Sequence, residues 1–543
     1  MTVPPEPPAP QSVPGAPRRS PVLVGVLVGL LVFAIAAAGF AGWRALADDD
    51  TGDAGATPTV GAGSPSSAPT PSPTAPMPDT EAALARFYDQ NLAWHECGRD
   101  KCARLTVPLD YTDPSGKTLE LAVLKVPASS SSARLGALVV NPGGPGGSGV
   151  SYAAAGSLQF GTPLSRSYDI VGFDPRGVGQ SDPVECLDTK QLDRVVAFDP
   201  DPDDLTERNE MDQLIHGFGQ GCLDHSGELA RHMSTQEAAR DMDILRAALR
   251  EPKLNYLGAS YGTFLGATYA DLFPSHVGRF VLDGAVDPAL STEQLSLQQA
   301  HGFETALRAY VQDCVDGGGC FLGGSVDEGV KRIQRFLAEV EQKPLPTGES
   351  RELTEGLAML GIWMPLYVRE YWDQLTTALK AAFNGSGKQL LALADFYTSR
   401  GPSGYTDNSM EALYAVNCLD HDDFVPTADV PSHFAQFQKA SPTFGRAFAF
   451  SLSTCSQWPV QSAQHTVALH AAGAPPIVVI GTTRDPATPL AWAQALAREL
   501  DSGQLITRDG DGHTGFQRGN SCVDDAVEAW LIQGQAPKDD LHC

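Results

Sequence analysis

Basic residues are in short supply. The 543-residue chain carries 38 Lys and Arg against 65 Asp and Glu, a formal net charge of −27. Such a surface repels phosphate backbones and anionic headgroups, which argues against nucleic-acid binding and against adsorption to an anionic membrane surface. The acidic excess suits a cationic substrate end or, equally, solubility outside the cell. Metal-site patterns are missing as well: there is no C-x-x-C pair and no H-E-x-x-H helix, so neither zinc nor any other metal cofactor is expected. One Gly-rich loop occurs, but no Gly-Lys-Ser/Thr follows it, which removes phosphate-loop chemistry. The first cysteine is Cys97, too late for lipid attachment near the N-terminus. No internal repeat is evident.

One long charge-free run is present. Val22 to Gly42 is rich in Val, Leu and Ala and follows Arg18-Arg19. Its length matches a bilayer core, and arginines stay on the cytoplasmic side. Residues 1–21 therefore read as a cytoplasmic N-terminus and 22–42 as a single-pass signal-anchor, with the remainder extracytoplasmic. The alternative is a cleaved signal peptide, with Ala45-Leu46-Ala47 as its small-residue site. Residues 48–80 are Pro, Ser, Thr, Ala and Gly after three aspartates; that composition cannot bury a core and reads as an extended tether. Ten cysteines in an exported chain read as disulfides. Pairing neighbours in sequence gives Cys97–Cys102, Cys186–Cys222, Cys314–Cys320, Cys418–Cys455 and Cys522–Cys543.

The most informative stretch is Gly258-Ala259-Ser260-Tyr261-Gly262. Leu254 to Leu257 reads as a short buried strand, and Thr263 to Leu272 as a helix. A G-x-S-x-G pentapeptide between strand and helix is a nucleophile elbow, whose turn is so tight that the neighbours of the serine must be small. The helix N-terminus then aims free amides at developing negative charge. Upstream, the apolar strand Leu135 to Val140 runs into Asn141-Pro142-Gly143-Gly144-Pro145-Gly146-Gly147-Ser148-Gly149. A loop without side chains lets its backbone approach a reacting carbonyl. Oxyanion donors are then expected from this loop and from the residue after the nucleophile, Tyr261.

The remaining partners should follow in the order acid, then histidine. Pro476 to Gly481 reads as a strand and leads to Asp485; Gln504 to Thr507 reads as the last strand and leads to His513. A rival acid, Asp283, ends the strand Arg279 to Asp283. It directly follows the elbow helix and reads more readily as a loop-capping residue. Ser260, Asp485 and His513 are the expected catalytic set.

Together these motifs resemble the tripeptidyl-aminopeptidase-like branch of the prolyl-iminopeptidase family. The likeness takes in Trp94 through Leu109, Asn141 to Gly149, Tyr168 to Asp182, Leu257 to Leu265 and Asp485-Pro486-Ala487-Thr488-Pro489. It covers about residues 82–543. The resemblance implies an α/β-hydrolase fold, with a mostly parallel sheet, helices on both faces and an inserted helical cap. It implies Ser260 as nucleophile, Asp485 as orienting acid, His513 as base, and Gly144 and Tyr261 as oxyanion donors. It also implies peptide substrates, no cofactor, and release of short N-terminal peptides through an acyl-enzyme. An esterase or amidase of small molecules is the alternative, because the triad serves both. Pro142 stands where the better-known prolyl iminopeptidases carry a histidine.

Between Asp287 and about Gln464 strand signals fade and amphipathic runs appear, at Gln294–Asp313, Glu328–Gln342 and Tyr367–Phe383. The expected division is hydrolase core at 82–290, helical cap at 291–464, and core again at 465–543, with the cap between the sixth and seventh strands. An aminopeptidase must recognise an α-ammonium, which a buried carboxylate does well; the resemblance to the prolyl-iminopeptidase family implies that this acid comes from the cap, the alternative being that the acids of Asp420 to Asp423 form a solvated loop. Asp420, pinned by the neighbouring Cys418, is the candidate substrate-binding residue.

Overall fold

The computed structural model describes residues 80–460 and 467–543. The expected membrane segment at 22–42 and the tether at 48–80, except for its last residue, lie outside the described residues, which begin at Thr80. Among the described residues no helix is long and apolar enough to cross a membrane.

Strands β1–β7 occupy His95–Cys97, Asp100–Pro108, Thr118–Val126, Gly136–Asn141, Tyr168–Phe173, Leu254–Ala259 and Val277–Asp283. A two-residue pair follows, β8 (Arg400–Gly401) and β9 (Gly404–Tyr405). The last three are β10 (Ile477–Arg484), β11 (Gly503–Asp511) and β12 (Leu541–His542). Ten of these form one sheet in the order β1-β2-β3-β5-β4-β6-β7-β10-β11-β12. From β5 to β12 every neighbour is parallel, while β1, β2 and β3 add antiparallel pairs at one edge. This mostly parallel, doubly wound sheet is the α/β-hydrolase architecture.

The central strands are apolar throughout because helices cover both faces. Side chains alternate between them. Val139, Tyr256, Phe280, Leu282 and Val479 join one hydrophobic cluster, and Leu138, Val140, Leu257, Val281 and Ile480 the other. All ten are buried. The strand C-termini therefore cannot shift without breaking two packed layers, and those ends carry the site.

Helices dominate between β7 and β10. Thr292–Asp316, Val326–Gln342, Glu355–Leu366, Trp372–Phe383 and Lys388–Tyr397 share a third hydrophobic cluster, with Leu307, Ile333, Ile362, Leu375 and Leu390 among its fully buried members. The helix Ser409–Asp420 does not join it. Its Met410, Ala412, Ala415 and Leu419 pack into the sheet-side cluster instead. The run expected as one helix over Tyr367–Phe383 is also divided. Val368 is extended (φ −140°, ψ 112°), and a regular helix resumes only at Trp372. The break frees the Tyr367 carbonyl, which accepts the His513 backbone amide at 2.8 Å.

All ten cysteines are paired, in the five sequence-local bridges expected. Such cross-linking belongs to an oxidising compartment, which places this domain outside the cytoplasm.

Candidate active site

Ser260 sits between β6 and the helix Tyr261–Leu272 with φ 57° and ψ −128°. A non-glycine residue held there costs on the order of 1–3 kcal/mol, so the surroundings must enforce it. The Ser260 amide donates to the Asp283 carbonyl at 2.9 Å, and the Thr263 amide to the Ser260 carbonyl at 2.8 Å. The flanking glycines are required by close approach. A Cβ on Gly258 would lie 2.3 Å from the Gly262 carbonyl oxygen, and one on Gly262 would lie 2.8 Å from Asn141 Oδ1. Sequence spacing thus becomes a serine side chain standing clear at the end of β6.

Asp485 follows β10 and His513 follows β11. His513 Nδ1 lies 2.9 and 2.8 Å from the two Asp485 oxygens. The carboxylate is held from other sides too. It accepts from the backbone amides of Ala487 at 3.0 Å, Thr488 at 2.9 Å and Thr514 at 3.2 Å, and from Thr488 Oγ1 at 3.0 Å. Thr488 Oγ1 also lies 3.2 Å from His513 Nδ1. With Nδ1 occupied, the imidazole presents Nε2, which is buried and has no partner among the described residues. His513 and Ser260 line one cavity of about 400 Å³.

The rival acid is equally buried but engaged elsewhere. Asp283 accepts from the amides of Gly515 at 2.7 Å and Phe516 at 2.9 Å, so it fixes the loop that carries His513. Burial pushes its carboxyl up to about 6, against the pull of those two amides.

The Gly-rich loop comes down on the elbow. A Cβ on Gly143 would meet the Ala259 carbonyl at 2.5 Å, Ser260 Cβ at 2.8 Å and the Tyr261 amide nitrogen at 2.9 Å. The Gly143 amide is tied back to Asn141 Oδ1 at 2.8 Å. The Gly144 amide has no partner among the described residues, and Gly144 lines the cavity. Tyr261 opens the elbow helix, so its amide is one of the N–H groups a helix leaves free. Its phenol points away from the cavity, onto Thr235 Oγ1.

Asp420 is not where the sequence reading put it. It is absent from the cavity lining. Its carboxylate accepts from the Thr235 amide at 2.8 Å and from Thr235 Oγ1 at 2.6 Å, at the start of the helix Thr235–Ala248. The physical reason is the packing of the helix Ser409–Asp420 against the sheet-side core, which buries its C-terminal carboxylate behind the elbow. Burial then pushes the Asp420 carboxyl up to about 7.

The cavity walls were not legible in sequence. Tyr367 closes one side, its ring edge-on to His513 at 5.5 Å between centroids. Tyr152, Tyr397, Met410 and Leu413 supply apolar surface, and Gln159 and Arg518 supply polar atoms. These come from segments scattered over more than three hundred residues, with no local pattern to mark them. Thr488 is the exception, since it lies in the Asp-Pro-Ala-Thr-Pro stretch beside Asp485.

A strained serine at the C-terminal end of β6, with an Asp–His pair from the ends of β10 and β11, defines a serine hydrolase of the α/β-hydrolase class. A family model described as "TAP-like protein" matches residues 441–543. The chain is 36% identical over 459 residues to Serine protease Hip1 of Mycobacterium tuberculosis, covering 81% of this chain and 87% of that one. It is 36% identical over 504 residues to a protein of the same organism named Carboxylesterase B, covering 90% and 94%. Identity to Tripeptidyl aminopeptidase of Streptomyces lividans is 31% over 485 residues, covering 85% and 88%. The chain belongs to the tripeptidyl-aminopeptidase-like family of α/β-hydrolases.

Proposed function

We propose that this protein is an extracytoplasmic serine exopeptidase that releases short peptides, tripeptides among them, from substrate N-termini. The observation that carries the reading is the Asp485–His513 pair at 2.8 Å, with Nε2 left open in the cavity that also holds Ser260. Ser260 Oγ attacks the scissile carbonyl while His513 Nε2 takes its proton, and Asp485 holds the imidazole as the Nδ1–H tautomer. The amides of Gly144 and Tyr261 stabilise the oxyanion. His513 returns the proton to the leaving amine, and a water, deprotonated by His513, resolves the acyl-enzyme. No step calls for a metal or an organic cofactor. In the full chain, residues 22–42 anchor this domain to the membrane.

A second reading, hydrolysis of small esters, is favoured by one feature of the cavity. Among its lining residues the carboxylate is Asp283, and both its oxygens are taken by loop amides. A relative of equal identity is named as a carboxylesterase. The deciding experiment compares free and N-acetylated tripeptidyl amides with p-nitrophenyl esters. The exopeptidase reading requires cleavage of the free-amine peptides and strong discrimination against their acetylated forms. Efficient ester turnover with no peptide cleavage would replace it with the esterase reading.

A further inference from the structure

Outside the lining of the catalytic cavity, three carboxylates converge without enough positive charge to balance them. Asp199 and Asp201 lie in the loop between the helices Thr189–Val196 and Leu205–Ser226, in the stretch Asp199-Pro200-Asp201-Pro202-Asp203-Asp204. Glu355 is the first residue of the helix Glu355–Leu366. One oxygen from each of Asp199, Asp201 and Glu355 lies within 4.8 Å of the others. The approach is set by backbone packing: a Cβ on Gly356 would meet the Phe198 carbonyl at 2.5 Å. The two segments are pressed together whatever the acids prefer.

Hydrogen bonding accounts for the cluster only in part: the Asp201 amide donates to Asp199 Oδ1 at 2.9 Å. Glu355 is 7% exposed, and its Oε2 is buried with no partner among the described residues. Asp201 Oδ2 receives Arg446 Nε at 2.9 Å, and Asp203 receives the same guanidinium at 2.5 Å. The carboxylates of Asp199, Asp201 and Glu341 repel Glu355, and those of Asp199 and Glu341 repel Asp201, against the Arg446 guanidinium. A buried carboxylate oxygen without a donor costs several kcal/mol unless it is protonated or bound to a cation.

We propose that Asp199, Asp201 and Glu355 bind a structural divalent cation, and that the cation is Ca²⁺. The donors are all oxygen, which disfavours zinc and copper. They come from an irregular loop and a helix start, with a geometry that Ca²⁺ tolerates and the strict octahedron of Mg²⁺ does not. Calcium is also the divalent cation a protein outside the cytoplasm meets at concentrations matching weak, few-ligand sites. The bound ion pins the loop at 197–204 to a helix whose far end leads into Tyr367, the wall of the catalytic cavity.

The test is direct. The disulfide-bonded protein is stripped with EGTA and titrated with CaCl2 by calorimetry, with melting followed in parallel. About 5 mM CaCl2 should raise Tm by about 2–4 °C with a one-site isotherm. Glu355→Gln and Asp199→Asn should each abolish most of that shift, and MgCl2 should give little. No heat and no Tm shift in the wild type would leave a proton-sharing carboxyl cluster and overturn the proposal. So would an undiminished shift in both variants, or an equal response to MgCl2. The wild-type titration stands even if a variant fails to fold.

Discussion

Asp485→Asn is the perturbation that tests the site most sharply, because asparagine keeps the shape and changes one acceptor into a donor. The Asp485 carboxylate accepts five hydrogen bonds: three from backbone amides, one from Thr488 Oγ1 and one from His513 Nδ1. Oδ1 faces the amides of Ala487 and Thr488, so an NH2 there would oppose two N–H groups. The amide group therefore settles at the Oδ2 side, against Thr488 Oγ1, the Thr514 amide and His513 Nδ1. An NH2 beside Nδ1 favours the imidazole tautomer with its proton on Nε2, which cannot accept the Ser260 proton. Loss of the orienting carboxylate in a triad costs about 10⁴-fold in kcat, or about 5.4 kcal/mol of transition-state stabilisation. The unmet Thr514 amide adds about 1–3 kcal/mol of destabilisation of the fold. The assay is kcat and KM on a tripeptidyl p-nitroanilide, or on a p-nitrophenyl ester if peptides are not cleaved, with melting recorded alongside. Asp283→Asn provides the contrast. Its carboxyl, already pushed up to about 6, bonds only to the His513 loop, so it should cost about 10-fold to 100-fold in kcat with a clear fall in Tm. If Asp283→Asn were the more damaging of the two in kcat, the assignment of Asp485 would be wrong.

Gly143→Ala should reduce kcat by at least about 10²-fold, since its Cβ would meet the backbone of Ala259 and Tyr261 and Ser260 Cβ, at a φ of +92°. Gly217→Ala, with nothing within 4 Å of its Cβ, should leave turnover unchanged in the same assay. For Asp420 the folded carboxyl is pushed up to about 7, so the native state holds its proton more tightly than the unfolded chain does. That contribution to stability is complete below about pH 4 and is lost as pH rises through about 7, and Asp420→Asn should flatten this part of the Tm–pH profile. Its activity on free-amine peptides should change no more than its activity on esters; a selective loss on peptides would restore Asp420 as an ammonium receptor. Replacing Cys418 and Cys455 with serine opens a loop of 37 residues, for about 3–4 kcal/mol in the chain-entropy account, and should lower Tm by several degrees. An unchanged Tm would show that packing of the helix Ser409–Asp420 holds this region without the bridge.

The legible features of this protein are those that depend on neighbours in the chain. Small residues around Ser260 mark an elbow because only they fit a turn whose Cβ contacts would fall under 3 Å. Apolar runs ending in Asp485 and before His513 mark strand ends because strands buried on both faces must be apolar throughout. Chain order then points to Ser260, Asp485 and His513 as the expected set, and local cysteine spacing supplies the five bridges. Asp420 shows where this stops. Its helix lies within the segment read as cap, yet its apolar face matches the sheet-side core, and packing between distant segments placed its carboxylate on Thr235. The same holds for Tyr367, which leaves its expected helix to accept the His513 amide, and for Glu355, brought to Asp199 and Asp201 by a contact through Gly356. The sequence by itself determined the hydrolase topology and singled out Ser260, Asp485 and His513 as the expected catalytic set, because these follow from local backbone geometry and strand burial. The cavity walls, the duty of each remaining buried acid and the convergence of carboxylates were decided only by tertiary structure, because they depend on which apolar faces meet across hundreds of residues.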